Sequence, residues 1–330
     1  MKAANRMATR DRYGVSVQHT SKPTGTGRFA PSPSGPLHLG NLRTALAAWL
    51  DARANGHRFL IRIDDLDPDR SRPEYADAQL RDLEAIGIDW DEPPVSQRAR
   101  RDRHEWALAE LAQLDDIYPC FCSRAEIRAA ATAPHGPGPD LPYPGTCAAL
   151  APRTAERRIA AGDPHSMRAR TNGATVAIDD ELLGTVSLEL DDFVVRRRDG
   201  VPAYNLASPV DEADLGVDIV IRGSDLAPNT PRQSWLAQRL ELAEPRYAHI
   251  PLVVGADGER LAKRHGAVTL DDARALGIDE AAVVRLLARS LGIAPEAAAA
   301  AHRASDLVSA YDRAHIPRSS YILDLSPLGA

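Results

Sequence analysis

Apolar residues fall at Leu42, Ala45, Leu46, Trp49 and Leu50, the spacing of one helical face, and Asn55-Gly56 supplies a stop. The run Phe59-Leu60-Ile61-Arg62-Ile63 that follows is short, apolar and closed by Asp64-Asp65, the pattern of a buried strand. Ahead of the helix, residues 27–41 are dense in glycine, proline and serine and read as a shaped loop with a strand before it. Strand, loop, helix and strand make a βαβ unit, so the pattern predicts an α/β fold built on a parallel sheet.

Further helices fit residues 74–86 and 98–114, after which the pattern breaks at Ile117-Tyr118-Pro119-Cys120-Phe121-Cys122. Residues 132–147 are rich in proline and glycine and read as loop. Short alternating pieces at 166–170, 185–190, 192–197 and 201–207 predict strands, the last two joined by a hairpin turn at Arg198-Asp199-Gly200. Residues 217–222 read as a buried strand, 228–242 as a helix and 250–254 as a strand leading into Gly255-Ala256-Asp257-Gly258. From Asp271 onward the chain reads helical and alanine-rich, with no internal repeat and no heptad run.

A length of 330 residues predicts two domains, or one large domain carrying a smaller one. With 44% hydrophobic and 26% charged residues the composition excludes a disordered or collagen-like chain. Forty basic against forty-six acidic residues give a net charge of −6, so any nucleic-acid contact must rest on a local basic surface. No apolar run reaches the roughly 18–20 residues of a membrane span. Residues 1–26 are polar and lack a signal-peptide core, so they read as a disordered leader, or as an upstream start with Met7 as the alternative. Three cysteines, an odd number, argue against a disulfide framework and for a reducing compartment, the cytoplasm.

Two short segments could carry chemistry. In Pro36-Leu37-His38-Leu39-Gly40-Asn41 a histidine and a close-approach glycine sit at a predicted helix N-terminus, where backbone N–H groups and the helix dipole favour anions such as a transferring phosphate. Far downstream, Gly258-Glu259-Arg260-Leu261-Ala262-Lys263-Arg264-His265-Gly266 is a glycine-flanked basic loop that can close over phosphates, with Lys263 as the point charge. A third cluster has metal-ligand character. Cys120 and Cys122 are one residue apart and Cys147 closes the proline-rich loop, so three thiolates and one more donor, Tyr143 or His135, would suit tetrahedral Zn²⁺.

In this order the first two segments resemble the HIGH and KMSKS signatures of class I aminoacyl-tRNA synthetases, written here as His38-Leu39-Gly40-Asn41 and Arg260-Leu261-Ala262-Lys263-Arg264. Arg28-Phe29-Ala30-Pro31-Ser32-Pro33-Ser34-Gly35-Pro36-Leu37-His38 and Arg62-Ile63-Asp64-Asp65-Leu66-Asp67-Pro68 are similar to the opening of glutamyl-tRNA synthetases. The resemblance extends through Ala203-Tyr204-Asn205-Leu206-Ala207, Ile221-Arg222-Gly223-Ser224-Asp225-Leu226, Thr230-Pro231-Arg232-Gln233 and Arg246-Tyr247-Ala248-His249-Ile250-Pro251-Leu252. Cys-x-Cys followed by Tyr-Pro-Gly-Thr-Cys resembles the zinc site of the glutamyl-Q tRNA(Asp) synthetases, shortened paralogues in which the tyrosine completes the ligand set. The length agrees, because the large helical anticodon-binding domain of discriminating glutamyl enzymes has no room here.

The resemblance implies a Rossmann-like class I catalytic core with a zinc-bearing insertion, a helical C-terminal part and no anticodon-binding domain. The implied divisions are a leader at 1–26, the first half of the core at 27–115, the insertion at 116–190, the second half with the KMSKS-like loop at 191–270 and a helical segment at 271–330. It implies ATP-dependent activation of L-glutamate and transfer to the queuosine base in the anticodon of tRNA(Asp), by a cytoplasmic monomer using one structural Zn²⁺, and Mg²⁺ with ATP. His38 and Lys263 would act in catalysis, and His38, Gly40, Asn41 and Lys263 would bind ATP. Arg28, Phe29, Ala30, Pro31, Ser32, Asp64, Tyr204 and Arg222 would bind glutamate, and Cys120, Cys122, Tyr143 and Cys147 would hold zinc. The basic stretches 98–103 and 196–198 are candidates for RNA contacts or ordinary solvated faces. Three departures stand out: Asp64 where the family carries glutamate, Asn41 for the last histidine of HIGH, and Arg260 and Ala262 in the KMSKS-like loop. A truncated glutamyl-tRNA synthetase and a catalytically silent RNA-binding paralogue are the competing expectations.

Overall fold

The computed structural model describes residues 25–123, 125–127, 143–259, 261 and 269–323. Most of the expected leader, together with His135 and Lys263, lies outside the described residues. In chain order the first elements are β1 (Thr26–Phe29), α1 (Leu39–Ala54), β2 (Arg58–Ile63), α2 (Pro73–Ala85), β3 (Val95–Ser96), α3 (Arg101–Gln113) and β4 (Ile117–Cys120). Then come α4 (Pro152–Ala160), β5 (Ser166–Ala169), β6 (Thr175–Asp180), β7 (Gly184–Glu189), β8 (Val194–Arg196), α5 (Tyr204–Asp214), β9 (Ile219–Gly223) and α6 (Thr230–Arg239). The chain continues with β10 (Arg246–Ile250), β11 (Val253–Val254), α7 (Leu270–Ala275), α8 (Glu280–Ser290), α9 (Pro295–Ala300) and β12 (Tyr321–Ile322).

The strands form a seven-stranded sheet in the order β3-β2-β1-β9-β10-β6-β7. All neighbours are parallel except the β6–β7 hairpin at the edge. Both catalytic-core halves expected from the sequence therefore share one sheet, with β1 and β9 adjacent at its centre. A parallel sheet must be covered on both faces, which explains the near-continuous apolar runs Phe59-Leu60-Ile61 and Ile219-Val220-Ile221. A separate three-stranded antiparallel sheet, β4-β5-β8, takes its third strand from the start of the second half. Residues 116–190 thus supply β4 and β5 to the small sheet and the β6–β7 hairpin to the large one.

Helix α1 packs on β1, β2 and β9 through the apolar face that the spacing predicts. It is buried almost all round, because α8 and the 3₁₀ turn at Ala304–Ala310 cover its other side. Alanines at 45, 47, 48 and 52 permit that close double contact. Burying each of Leu42, Leu46 and Leu50 contributes roughly 1.5–3 kcal/mol. None of the described helices is long and apolar enough to cross a membrane.

Several expected elements shift. Residues 201–207 do not form a strand: the turn at Arg198-Asp199-Gly200 closes with a single bridge between Arg196 and Pro202, and α5 starts at Tyr204. The Arg197 N–H donates to the carbonyl of Val201 (2.8 Å) and the Ala203 N–H to that of Val195 (2.9 Å) on either side of that bridge, and the return arm ends where the helix begins. The strand expected at 250–254 lies earlier, at Arg246–Ile250, and stops before Pro251. Val253–Val254 pairs instead with Tyr321–Ile322, a strand the helical reading of the C-terminal segment did not contain.

Candidate active site

A cavity of about 470 Å³ opens at the carboxyl ends of β1 and β9, the position where open parallel sheets place their ligands. Its wall is the loop from Ala30 to His38, the first turn of α1, Tyr204 at the start of α5, and Arg222 and Gly223 at the end of β9. The loop is held from outside. Gln79 of α2 donates to the carbonyls of Ser32 (3.0 Å) and Gly35 (2.7 Å), and the backbone N–H of Asp64 donates to Pro31 (2.9 Å).

His38 is the N-cap of α1, and Asn41 explains its place in the sequence. The N–H of Asn41 donates to His38 Nδ1 (3.1 Å), while Asn41 Oδ1 accepts from the N–H of His38 (3.2 Å), a reciprocal capping box. Because Nδ1 accepts, the neutral ring carries its proton on Nε2. Burial lowers the imidazole's pKa, with Asp225 acting the other way, so near neutral pH His38 is an N–H donor at a helix N-terminus. A Cβ at Gly40 would lie 3.0 Å from the ring, so glycine there leaves His38 its place. Thr269, just beyond the KMSKS-like loop, forms a β-bridge with His38, and Leu261 of that loop lines the cavity.

Two buried arginines reach the cavity from adjacent strands. Arg28 donates from Nε (3.2 Å) and Nη2 (2.6 Å) to Glu212 Oε1, and from Nη1 to the carbonyl of Ile221 (3.5 Å). Arg222 donates from Nε to His249 Nε2 (2.9 Å), from Nη1 to the Tyr204 hydroxyl (3.0 Å), and from Nη2 to Thr230 Oγ1 (2.9 Å) and Gln233 Oε1 (2.8 Å). A guanidinium has five N–H donors, so among the described residues these bonds leave two on Arg28 and one on Arg222 without a partner, and both side chains line the cavity. The two cations differ in compensation: Arg28 is ion-paired, whereas all the hydrogen-bond partners of Arg222 are neutral side chains. A buried cation held by neutral acceptors favours an anionic ligand.

Of the residues singled out in the sequence, Arg28, Phe29, Ala30, Pro31, Ser32, His38, Gly40, Asn41, Tyr204 and Arg222 line this cavity together. Asp64 is not among the lining residues; its carboxylate pairs with Arg62 through Nε (2.7 Å) and Nη2 (3.2 Å). Residues 62 and 64 share a face of an extended chain, so the pairing had a signal in the spacing. Glu212, His249, Asp180 and Gln79 were not picked out. Burial pushes the Glu212 carboxyl up, but Arg28, Arg62 and Arg222 together hold it below its usual range. Three of the four arginines in the stretch 98–103 are committed elsewhere: Arg100 pairs with Asp211 and Asp214, Arg101 with Glu105, and Arg103 with Asp214. In the stretch 196–198, Arg197 pairs with Asp67 and Asp199, while Arg198 donates to the carbonyls of Phe121 and Cys122.

The three cysteines converge with Tyr143. Their sulfurs all lie within 4.8 Å of one another, with Cys122 and Cys147 at 3.5 Å. Cys120 Sγ is 3.3 Å and Cys122 Sγ 3.9 Å from the Tyr143 oxygen, which also accepts from the N–H of Cys147 (2.8 Å). Thiolates around a tetrahedral ion at about 2.3 Å stand roughly 3.8 Å apart, so this donor set fits one metal ion. Burial and the neighbouring sulfurs push the Cys122 thiol up to about 11, so near neutral pH it keeps its proton until a bound metal cation displaces it to solvent. The apolar core around the cluster is small, formed by Tyr118, Cys120, Phe121, Tyr143 and Cys147. Arg168 lies 3.8 Å from the centre of the Tyr143 ring, a cation–π contact that fixes the phenol.

Residues 26–324 match the family described as tRNA synthetases class I (E and Q), catalytic domain. A protein of Nocardia farcinica named glutamyl-Q tRNA(Asp) synthetase is 51% identical over 91% of this chain and 93% of its own length. One of the same name from Symbiobacterium thermophilum is 45% identical over 88% of this chain and 94% of its own. Among solved structures, a glutamate tRNA ligase from Elizabethkingia meningosepticum, in complex with its amino acid, superposes with a TM-score of 0.79 at 24% identity, over 92% of this chain and 67% of that one. That likeness bears on the fold.

Proposed function

The chain belongs to the class I tRNA synthetases for glutamate and glutamine, and within them to the glutamyl-Q tRNA(Asp) synthetases, and we propose that it activates L-glutamate with ATP and transfers it to the queuosine base in the anticodon of tRNA(Asp). The observation that carries this reading is the pair of buried arginines, Arg28 and Arg222, with N–H groups left over in a cavity shared with the N-terminus of α1. Guanidinium donors suit a substrate with two carboxylates, and the helix N-terminus suits phosphates. Tyr204 contributes a hydroxyl ordered by Arg222.

In the proposed reaction a carboxylate oxygen of glutamate attacks the α-phosphorus of ATP in line with the leaving oxygen. A C–O–P bond forms, the bond from the α-phosphorus to its bridging oxygen breaks, and pyrophosphate leaves with the electron pair. No covalent enzyme intermediate is required. His38, held by its capping box with Asn41, would donate its Nε2–H to a phosphate oxygen, Gly40 would allow the phosphate close approach to the helix N-terminus, and Lys263 would add its charge from the basic loop. ATP enters with Mg²⁺ on its phosphates. A hydroxyl of the queuosine cyclopentene ring then attacks the glutamyl carbonyl, an ester forms, AMP leaves, and the hydroxyl proton passes to phosphate or solvent.

The donor chemistry of Cys120, Cys122, Tyr143 and Cys147 supports one structural Zn²⁺. When bound, it would clip a module whose own core is small. A monomer in the cytoplasm completes the proposal.

The test is transfer of labelled glutamate. Queuosine-bearing tRNA(Asp) should accept label, while tRNA(Asp) from cells lacking queuosine and tRNA(Glu) should not. Label on tRNA(Glu) at its 3′ end would instead identify a truncated glutamyl-tRNA synthetase.

A further inference from the structure

Arg222 is tied on its strand-ward side to a histidine that does not line the cavity. The parallel register of β9 and β10 sets His249 directly opposite Arg222, and the Arg222 Nε–H donates to His249 Nε2 at 2.9 Å. That nitrogen must therefore keep its lone pair. Thr230 Oγ1 accepts from Arg222 Nη2 (2.9 Å) and lies 3.2 Å from His249 Nε2, a contact compatible with that lone pair. The imidazole proton belongs on Nδ1, which is 2.6 Å from Asp180 Oδ2.

Asp180 is itself fixed. It ends β6, and its carboxylate accepts from the backbone N–H groups of Leu182 (3.0 Å), Leu183 (2.9 Å) and His249 (3.1 Å). The side chains of Asp180 and His249 are each 1% exposed. Three strands, β6, β10 and β9, thus carry a chain of hydrogen bonds from a buried carboxylate through an imidazole to the guanidinium that faces the cavity.

We infer that His249, held in the Nδ1–H tautomer by Asp180, is a positioning residue for Arg222 and through it for a carboxylate of the amino-acid substrate. The inference rests on the glutamate-activating reading above. The arrangement accounts for two features at once: Arg222 has every N–H but one engaged, and each acceptor it meets is neutral. An acid as acceptor would take up part of the cation's field, as Glu212 does for Arg28, whereas neutral acceptors leave the field of Arg222 to a substrate carboxylate.

The ring must also stay neutral, since a second proton would set Nε2–H against the Arg222 Nε–H, two like charges in a dry site. The groups around His249 are Asp180 from β6, Arg222 from β9, Arg28 from β1 at longer range, Thr230 from α6 and the stacked Tyr247 ring of its own strand, 6.1 Å away. Burial and the two arginines lower the imidazole's pKa below its ordinary 6.5, while Asp180 opposes them. Glutamate binding should therefore weaken as pH falls through that lowered value, and be insensitive to this group above 6.5.

Two variants test this in glutamate-dependent ATP–pyrophosphate exchange. In Asp180→Asn the amide can keep the backbone bonds through its oxygen but turns an N–H toward Nδ1, which drives the proton to Nε2 and against Arg222. The KM for glutamate should rise about tenfold or more, with the KM for ATP within about twofold. His249→Gln keeps a neutral acceptor at a similar reach and should lose the acid limb of the pH dependence of the glutamate KM. Equal effects on both KM values in Asp180→Asn, or an acid limb unchanged in His249→Gln, would overturn the inference. Nitrogen NMR of histidine-labelled protein reads the tautomer without any substrate: Nδ1–H in the wild type and Nε2–H in Asp180→Asn, with an Nε2–H wild-type ring contradicting it. Absence of exchange in the wild type strikes the glutamate reading instead, and leaves the tautomer result standing on its own.

Discussion

Replacing Arg28 by methionine should destabilise the protein by about 3–5 kcal/mol, the cost of leaving a buried charge without its partner. The Glu212 side chain is 0% exposed, and its Oε1 takes two hydrogen bonds from Arg28. What remains after the substitution is the Ser208 hydroxyl at 3.1 Å and Arg62 at 3.7 Å, while Oε2 has no hydrogen-bond partner among the described residues. Adding Glu212→Gln to Arg28→Met should recover much of the loss, because the uncompensated charge is gone, yet should not restore glutamate activation, which needs the guanidinium in the cavity. Denaturant midpoints for the two single variants and the double variant give the coupling directly. The pH dependence has a defined sign. Glu212 is held below the ordinary glutamate value of 4.5, so the ion pair's contribution is complete above that pH and fades as pH falls through the lowered value in the folded state. An Arg28→Met protein as stable as the wild type would mean that Glu212 is not a buried charge.

Removing the metal should have the other large effect, and a local one. Structural zinc sites in small peptides hold their ion by roughly 10–16 kcal/mol, far more than a core of five buried residues supplies. The purified chain should carry close to one zinc per molecule, and Cys147→Ser should lose it. Hydrogen exchange at Ile117–Cys120 should then accelerate by orders of magnitude, while β1, β9 and β10 keep their protection. The disturbance should reach the turn at Arg198, which is bonded to the carbonyls of Phe121 and Cys122, before it reaches the cavity. A metal-free protein with unchanged exchange at Ile117–Cys120 would remove the four donors from the site.

Much of the cavity could be read from the sequence because its lining is local. Arg28 through Asn41 is one strand, one loop and one helix start, and the glycine, proline and histidine there have backbone roles that composition exposes. Arg28 and Arg222 were legible through the family positions they match, and Arg222 also as a charge closing an apolar strand. What escaped was long-range pairing. Glu212 meets Arg28 across 184 residues and Asp180 meets His249 across 69, and nothing in a local pattern distinguishes a buried acid from a solvated one. The start of α5 was missed because the pairing of Val201 to Ala203 with the strand before it gives way to helix within one residue, at Tyr204. Asp64, matched to the substrate by its family position, has a partner two residues away on the same face, Arg62, that the spacing also made legible. The near-complete burial of α1 was hidden as well, since its second covering layer comes from α8 and Ala304–Ala310, more than 200 residues downstream.

The central claim is that Arg28, Arg222 and the N-terminus of α1 form a glutamate-activating site. It is tested most directly by ATP–pyrophosphate exchange with no tRNA present. The account predicts exchange with glutamate and none with glutamine or aspartate, because the buried cations select a second carboxylate at one fixed distance from the first. Equal exchange with glutamine, or none with glutamate whether or not tRNA is added, would contradict it.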